Sequence, residues 1–203
     1  ADGAADPETI AADLLAQAEH DPLATPILVT TGGEAFAVRV DEALTRQLAD
    51  LPTADIARPA LENGFALLAA STDEAIEACN HLAPEHLEVL CADAEEVATR
   101  LTHWGALFVG SGAAEVFGDY GAGPNHVLPT GGTARSIGGL SVLAFLRVRT
   151  WMRLDALDEV DDYSETSDMG EGYDPQIMID DAVRLARLEG LEGHARAALR
   201  RRR

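Results

Sequence analysis

Between residues 26 and 110 short apolar runs alternate with stretches of helical spacing, and this alternation constrains the fold more than any other feature. Residues 26–31 (PILVTT), 64–69, 86–91 and 105–110 are each long enough for a buried strand and are bounded by turn residues. Residues 40–51, 72–81 and 93–103 lie between them and repeat their apolar positions at helical spacing. Ahead of the first strand, Asp6 followed by Pro7 reads as an N-cap with proline at the first helical position. It opens a helix that runs to about Glu19. Strands separated by helices must cross over to pair, so they pair in parallel. The expectation is a layered α/β domain.

After residue 110 the pattern changes. Residues 118–130 read GDYGAGPNHVLPT, with glycine and proline at a density that regular helix or strand resists, so a loop is expected there. Residues 140–153 and 175–203 have helical spacing. Between them, residues 155–181 hold eleven acidic side chains and no basic one, more than half of the net charge of −20. The expected organisation is an α/β domain over 1–152, an acidic linker over 153–174 and a helical tail over 175–203.

Charge and composition exclude several classes. Apolar residues make up 47% of the 203, enough for a core, and disorder of the whole is excluded. Every basic side chain except histidine is arginine; there is no lysine. So acidic a chain lacks the basic footprint that nucleic-acid phosphates require. The acidity reads as a solvated surface or, alternatively, as a face for a basic partner. The arginines at 200–203 suit a helix C-terminus. No apolar run approaches a membrane span. Residues 1–6 are acidic and carry neither the basic patch nor the apolar stretch of a signal peptide. Cys79 and Cys91 are too few and too widely spaced for a disulfide framework or a zinc cage, so a cytoplasmic setting is expected.

Four groups of residues could carry chemistry. Gln17 and His20, three apart on the first helix, share a face; by spacing alone a surface pair or a contact with the helix C-terminus is the favoured reading. Glu85 and His86 stand at a strand start, where a carboxylate beside an imidazole can move protons near neutrality, or can simply face water in a turn. Asp119 and His126 lie in the glycine-rich stretch and are metal-compatible. Glu189 and His194 fall in the tail, where surface positions on a helix are the plain alternative. The glycines at 131–132 and 138–139 match neither nucleotide-binding fingerprint and are assigned to turns. His81, His103, Trp104 and Trp151 are assigned to packing.

The order of these pieces carries more than any one of them. IAADLLAQAEH at 10–20, APEHL at 83–87, GDYGAGPNHVLPTGGTAR at 118–135 and EGLEGH at 189–194 closely resemble histidinol dehydrogenases, in that family's order and at about its spacing. The resemblance implies an incomplete Rossmann-like parallel sheet with flanking helices plus a C-terminal helical tail. It implies a zinc enzyme that oxidises L-histidinol to L-histidine in two steps, each passing a hydride to NAD. Gln17, His20, Asp119 and His194 are the implied zinc ligands. His86 is the implied base and Glu85 the activator of water. Glu189 is implied in substrate binding together with Gln17, His20, His86, Asp119 and His194, and His126 sits where the family also holds substrate. A homodimer is implied in which the swapped tail places Glu189 and His194 in the partner's site.

Family members are about twice this long. Their amino-terminal half carries the NAD contacts and a Gly-Pro-Ser-Glu-Val loop, so no cofactor-binding residue is expected on this chain. The expectation is the carboxy-terminal half of such an enzyme, inactive alone, with a separate amino-terminal half as a possible partner. Two alternatives stay open at this point. One is a relative that oxidises another small alcohol, such as a sulfonated diol. The other is a catalytically silent metal-binding or dimerisation remnant.

Overall fold

The computed structural model describes residues 1–152 and 175–202. The chain divides into two compact units, Ala1–Arg147 and Val148–Arg203. Most of the acidic segment, including the expected linker over 153–174, lies outside the described residues.

The first unit is α/β. It runs α1 (Pro7–Ala18), β1 (Ile27–Thr30), α2 (Glu34–Asp50), α3 (Ala54–Asn63), β2 (Phe65–Leu68), α4 (Thr72–Leu82), β3 (His86–Val89), α5 (Ala94–Arg100), β4 (Ala106–Val109) and α6 (Glu115–Asp119). Asp6 caps α1 as its sequence implies: its carboxylate accepts from the Glu8 amide at 3.2 Å and the Thr9 hydroxyl at 3.0 Å. Ser71 caps α4 in the same way, accepting from the Glu74 amide.

The strand pairing is parallel, as expected. β1 pairs with β2, Ile27 opposite Phe65 through Thr30 opposite Leu68, and β3 with β4, His86 opposite Ala106 through Val89 opposite Val109. Among the described residues these remain two separate pairs; β1 and β3 are not bonded to each other. Packing joins the halves, together with backbone bonds that Ala1 and Asp2 make to the ends of β1 and β3. Ile10 of α1, Leu28 of β1, Phe36 and Val40 of α2 and Leu90 after β3 form one buried cluster. A second, Leu15, Ala18, Leu48, Ala57 and Ala60, seats α1 on α2 and α3, and a third, Ile76, Val89, Ala94 and Leu101, seats α4 and α5 on β3.

Three local expectations need correction. First, α3 lies in a stretch for which no element was expected. Pro59 inside it removes one backbone donor, yet Ala57 and Ala60, three apart and fully buried, hold the helix by packing. Second, the expected loop at 118–130 begins inside a helix, because α6 takes in Gly118 and Asp119 before the glycines at 121 and 123 turn the chain with positive φ. Third, the helix expected over 140–153 is only a 3₁₀ turn, Val142–Phe145, followed by irregular chain. Its apolar side chains, Val142, Leu143, Phe145, Val148 and Trp151 among them, are exposed, and an apolar helix with nothing to pack on is marginal. The packing role expected of His81, Trp104 and Trp151 fails as well, since all three are exposed.

The second unit holds α7 (Pro175–Leu188) and α8 (Glu192–Leu199), turned at Gly190 (φ 76°) and packed through Ile179, Val183 and Ala195. No helix among the described residues is long and apolar enough to cross a membrane.

Candidate functional site

The site is organised by a sharp turn. α4 ends at Ala83, fully buried in the left-handed conformation (φ 48°), which costs a non-glycine residue about 1 kcal/mol. That turn and Pro84 swing the chain into β3 and leave Glu85 and His86 at its start. Two backbone bonds pin them there, from the Gly105 amide to the Pro84 carbonyl at 2.9 Å and from the Ala106 amide to the Glu85 carbonyl at 2.8 Å. Gly105 is required for this: a Cβ there would stand 2.5 Å from the Glu85 carbonyl oxygen.

His86 packs on Phe108 of β4, ring centroids 6.2 Å apart and inclined by 26°. Gly118 lies against the same phenyl ring, 2.9 Å from where its Cβ would be, so α6 comes close to β4. This approach places the buried Glu115 beside β3. Its amide donates to Glu88 Oε1 at 3.0 Å, and its own Oε1 lies 3.6 Å from His86 Nε2. Asp119 is one turn further along α6, and His20 follows the end of α1. One ligand atom each from His20, Glu115 and Asp119 falls within 4.8 Å of the other two.

Burial governs the charges here. It pushes the Glu115 carboxyl up to about 7, helped by the negative charges of Asp119, Glu85 and Asp13. It pushes Glu88 up to about 8, and a hydrogen bond shared with Asp13 adds to the effect. Glu85 is raised by burial, against the opposing pull of His20 and with the Asp119 charge adding. The His86 imidazole is lowered by burial, only partly offset by Asp119, and is therefore neutral near pH 7. Both ring nitrogens of His86, Nε2 of Gln17 and Oε1 of Glu115 are buried without a hydrogen-bond partner. Buried polar atoms are normally satisfied, so several left open together mark a place that takes a ligand. They border a cleft of about 600 Å³ lined by Gln17, Glu85, His86, Glu88 and Glu115.

The structure brings together His20, Asp119, Glu85 and His86, with Gln17 on the wall of the same cleft. It adds Glu115, which sequence reasoning missed. The signal was there: a carboxylate four residues before Asp119 shares its face once the segment is helical. His126 is exposed in the loop and outside the His20–Glu115–Asp119 cluster. Glu189 and His194 belong to the second unit, where Glu189 follows α7, His194 lies in α8, and both are exposed. Imidazole, carboxylate and amide donors form a set suited to zinc or a similar divalent ion, and the open, buried Glu115 oxygen agrees with a cation there.

Parallel strand pairs with helices around them, and carboxylates and imidazoles gathered at a strand start, define an α/β chain with a metal-compatible acid–base centre. The comparisons narrow this class. The family model for histidinol dehydrogenase matches residues 1–202. The histidinol dehydrogenase of Nitratidesulfovibrio vulgaris is 48% identical over 202 residues, which are 99% of this chain and 42% of that protein. That of Geobacillus kaustophilus is 48% identical over 198 residues, 97% of this chain and 43% of its own length. The crystal structure of histidinol dehydrogenase from Elizabethkingia anophelis superposes with a TM-score of 0.85 at 32% identity, covering 99% of this chain and 42% of that one. The chain therefore belongs to the histidinol dehydrogenase family, and it spans about two-fifths of the length of the relatives it matches.

Proposed function

We propose that this chain supplies the metal-anchoring and proton-transfer part of an enzyme that oxidises L-histidinol to L-histidine in two NAD-dependent steps. The observation that carries the reading is the convergence of His20, Asp119 and Glu115 beside His86, whose buried ring nitrogens have no hydrogen-bond partner. Gln17, His20, Asp119 and, from the tail, His194 would hold a zinc ion. When bound, the ion anchors the substrate's nitrogens and so fixes the reacting carbon. No residue of this chain is assigned to NAD, whose part is to accept the hydride.

The chain's own groups handle protons and position. His86, kept neutral by burial, accepts the hydroxyl proton as the alcohol carbon loses hydride. Glu85, whose carboxyl burial raises, takes a proton from water when the aldehyde is hydrated for the second oxidation. Glu115, whose Oε1 stands 3.6 Å from His86 Nε2, would be a further donor to the ion beside His20 and Asp119. Glu189 binds substrate, and with His194 it serves the partner subunit of a homodimer through the swapped tail. The chain alone is expected to bind substrate but not to turn it over, and a cytoplasmic setting fits this chemistry.

The test is calorimetric titration of the zinc-loaded chain with L-histidinol, repeated after chelation. Binding that vanishes with the metal is the expected result. Zinc binding with no heat from L-histidinol sinks the substrate assignment, and failure to bind zinc sinks the ligand set.

A further inference from the structure

α4 ends at Leu82, directly before the left-handed turn that presents Glu85 and His86, and its last carbonyls need partners. The Cys79 carbonyl takes the Ala83 amide at 2.9 Å. The Asn80 carbonyl lies 3.2 Å from His103 Nδ1. The Asn80 side chain holds the segment ahead of β4, donating to the Arg100 carbonyl at 3.2 Å and accepting from the Thr102 amide at 2.7 Å. The His81 carbonyl takes Nη2 of Arg135, 54 residues further along the chain. A guanidinium at a helix C-terminus meets both the open carbonyl and the negative end of the helix dipole.

The other prong of Arg135 closes its own loop, Nη1 donating to the Gly132 carbonyl at 3.2 Å. Thr133 tightens the turn: its amide and its hydroxyl both donate to the Thr130 carbonyl, at 3.1 and 2.6 Å. Gly132 takes a positive φ of 77°, and a Cβ there would stand 2.6 Å from Nη1 and 3.6 Å from the Leu82 carbonyl oxygen. The guanidinium and the end of α4 thus occupy the space that a side chain would need. Just upstream the loop touches the start of β4, where a Cβ at Gly105 would stand 3.1 Å from Pro129 Cδ. Gly131 and Gly132 then line the same cleft of about 600 Å³ as Glu85 and His86. Arg135 itself is exposed and is not part of that lining.

We infer that Arg135 is a positioning residue for the acid–base centre: its guanidinium fork clamps the Gly131–Gly132 turn to the C-terminus of α4 and so fixes one wall of the substrate cleft beside Glu85 and His86. The link to substrate rests on the function proposed above, whereas the clamp rests on hydrogen bonds alone. Arg135 acts through the turn. Releasing the fork frees the His81 carbonyl, lets Gly131 and Gly132 leave the wall, and loosens the left-handed turn at Ala83. It leaves the donors His20, Glu115 and Asp119 in place, since they stand on or beside α1 and α6, to which Arg135 makes no hydrogen bond among the described residues. A lysine offers a point charge where arginine offers a planar fork of N–H groups, so it reproduces the charge and not the clamp.

The experiment compares the full chain with its Arg135→Ala and Arg135→Lys variants. Hydrogen exchange is followed on peptides covering Leu82–His86 and Gly131–Ser136, with α1 and α2 as the internal reference for folding. Arg135→Ala should speed exchange in both peptides by about tenfold or more. Methylguanidinium should restore the protection, and methylammonium at the same concentration should not. Arg135→Lys should show the same loss at Gly131–Ser136 in smaller degree, and it decides the matter if the alanine variant does not fold. Zinc affinity should stay within about twofold of the parent chain's, while the zinc-loaded alanine variant should bind L-histidinol about tenfold more weakly or worse. Unchanged exchange in both variants overturns the proposal. So does equal rescue by the two cations, which would leave only a charge at the end of a helix. Faster exchange with unaltered L-histidinol affinity overturns the link to substrate. If the parent chain itself binds no L-histidinol, the proposed function fails, and the exchange result still decides on the clamp.

Discussion

Glu115 Oε1 stands 3.6 Å from His86 Nε2, with both side chains almost fully buried. The contact joins two elements far apart in sequence, the start of β3 and the start of α6. Burial raises the carboxyl to about 7 and lowers the imidazole, so near neutrality the carboxyl stands midway between its protonated and anionic forms. A carboxyl poised at about 7 is a group that can exchange a proton or accept a cation at little cost.

Glu115→Gln tests its place among the metal donors. The substitution keeps the shape and removes the anionic oxygen that converges with His20 and Asp119. Zinc affinity measured by calorimetry should fall by roughly tenfold or more, with the circular dichroism unchanged. Unaltered affinity would remove Glu115 from the donor set.

The His86 imidazole should titrate below the ordinary 6.5 in the metal-free chain, because burial disfavours its charged form. Nitrogen chemical shifts followed against pH give the midpoint directly. A midpoint at or above 6.5 would contradict the neutral base on which proton transfer depends.

Stability should depend on pH through Glu88. Its folded-state pKa of about 8 lies above the ordinary 4.5, so the folded chain holds a proton that the unfolded chain releases. This contribution is fully present below about 4.5 and is lost as pH rises through 8. Glu88→Gln should therefore raise the melting temperature at pH 8.5 and leave it nearly unchanged at pH 4.5. The expected gain is about 2–4 °C for each kcal/mol recovered.

Gly105→Ala should destabilise the chain by about 1–3 kcal/mol, since the new methyl meets the backbone carbonyl of Glu85, which cannot swing away as a side chain can. Gly112→Ala is the matching control: open space surrounds that position, so the change should stay within about 0.5 kcal/mol. Thermal unfolding of the two variants side by side gives the comparison, and equal melting temperatures would refute the close approach at Gly105.

Local chemistry was legible in the sequence wherever the deciding partner is a near neighbour. Asp6 and Pro7 start α1 because a cap and a preset φ act within a few residues. The four strands fall where short apolar runs meet turn residues, and the motif order at Gln17–His20, Glu85–His86 and Asp119 pointed to the family that the comparisons show. Beyond that range single residues misled. The glycines after Asp119 looked like an uninterrupted loop, yet Gly118 sits in α6 because packing on Phe108 leaves no room for a Cβ. Residues 140–153 had helical spacing and formed no α-helix, since spacing supplies an apolar face but no surface to bury it against.

The sequence by itself determined the parallel α/β character, the caps and the pairing of a carboxylate with an imidazole at the start of β3. Only the tertiary structure decided that Glu115 meets His86, that β1–β2 and β3–β4 stand as separate pairs, and that Ala1 and Asp2 bridge them. The reason is physical. Propensity and capping are local properties written in neighbouring residues, whereas burial, and the pKa values and open edges that follow from it, depend on which distant elements share a core.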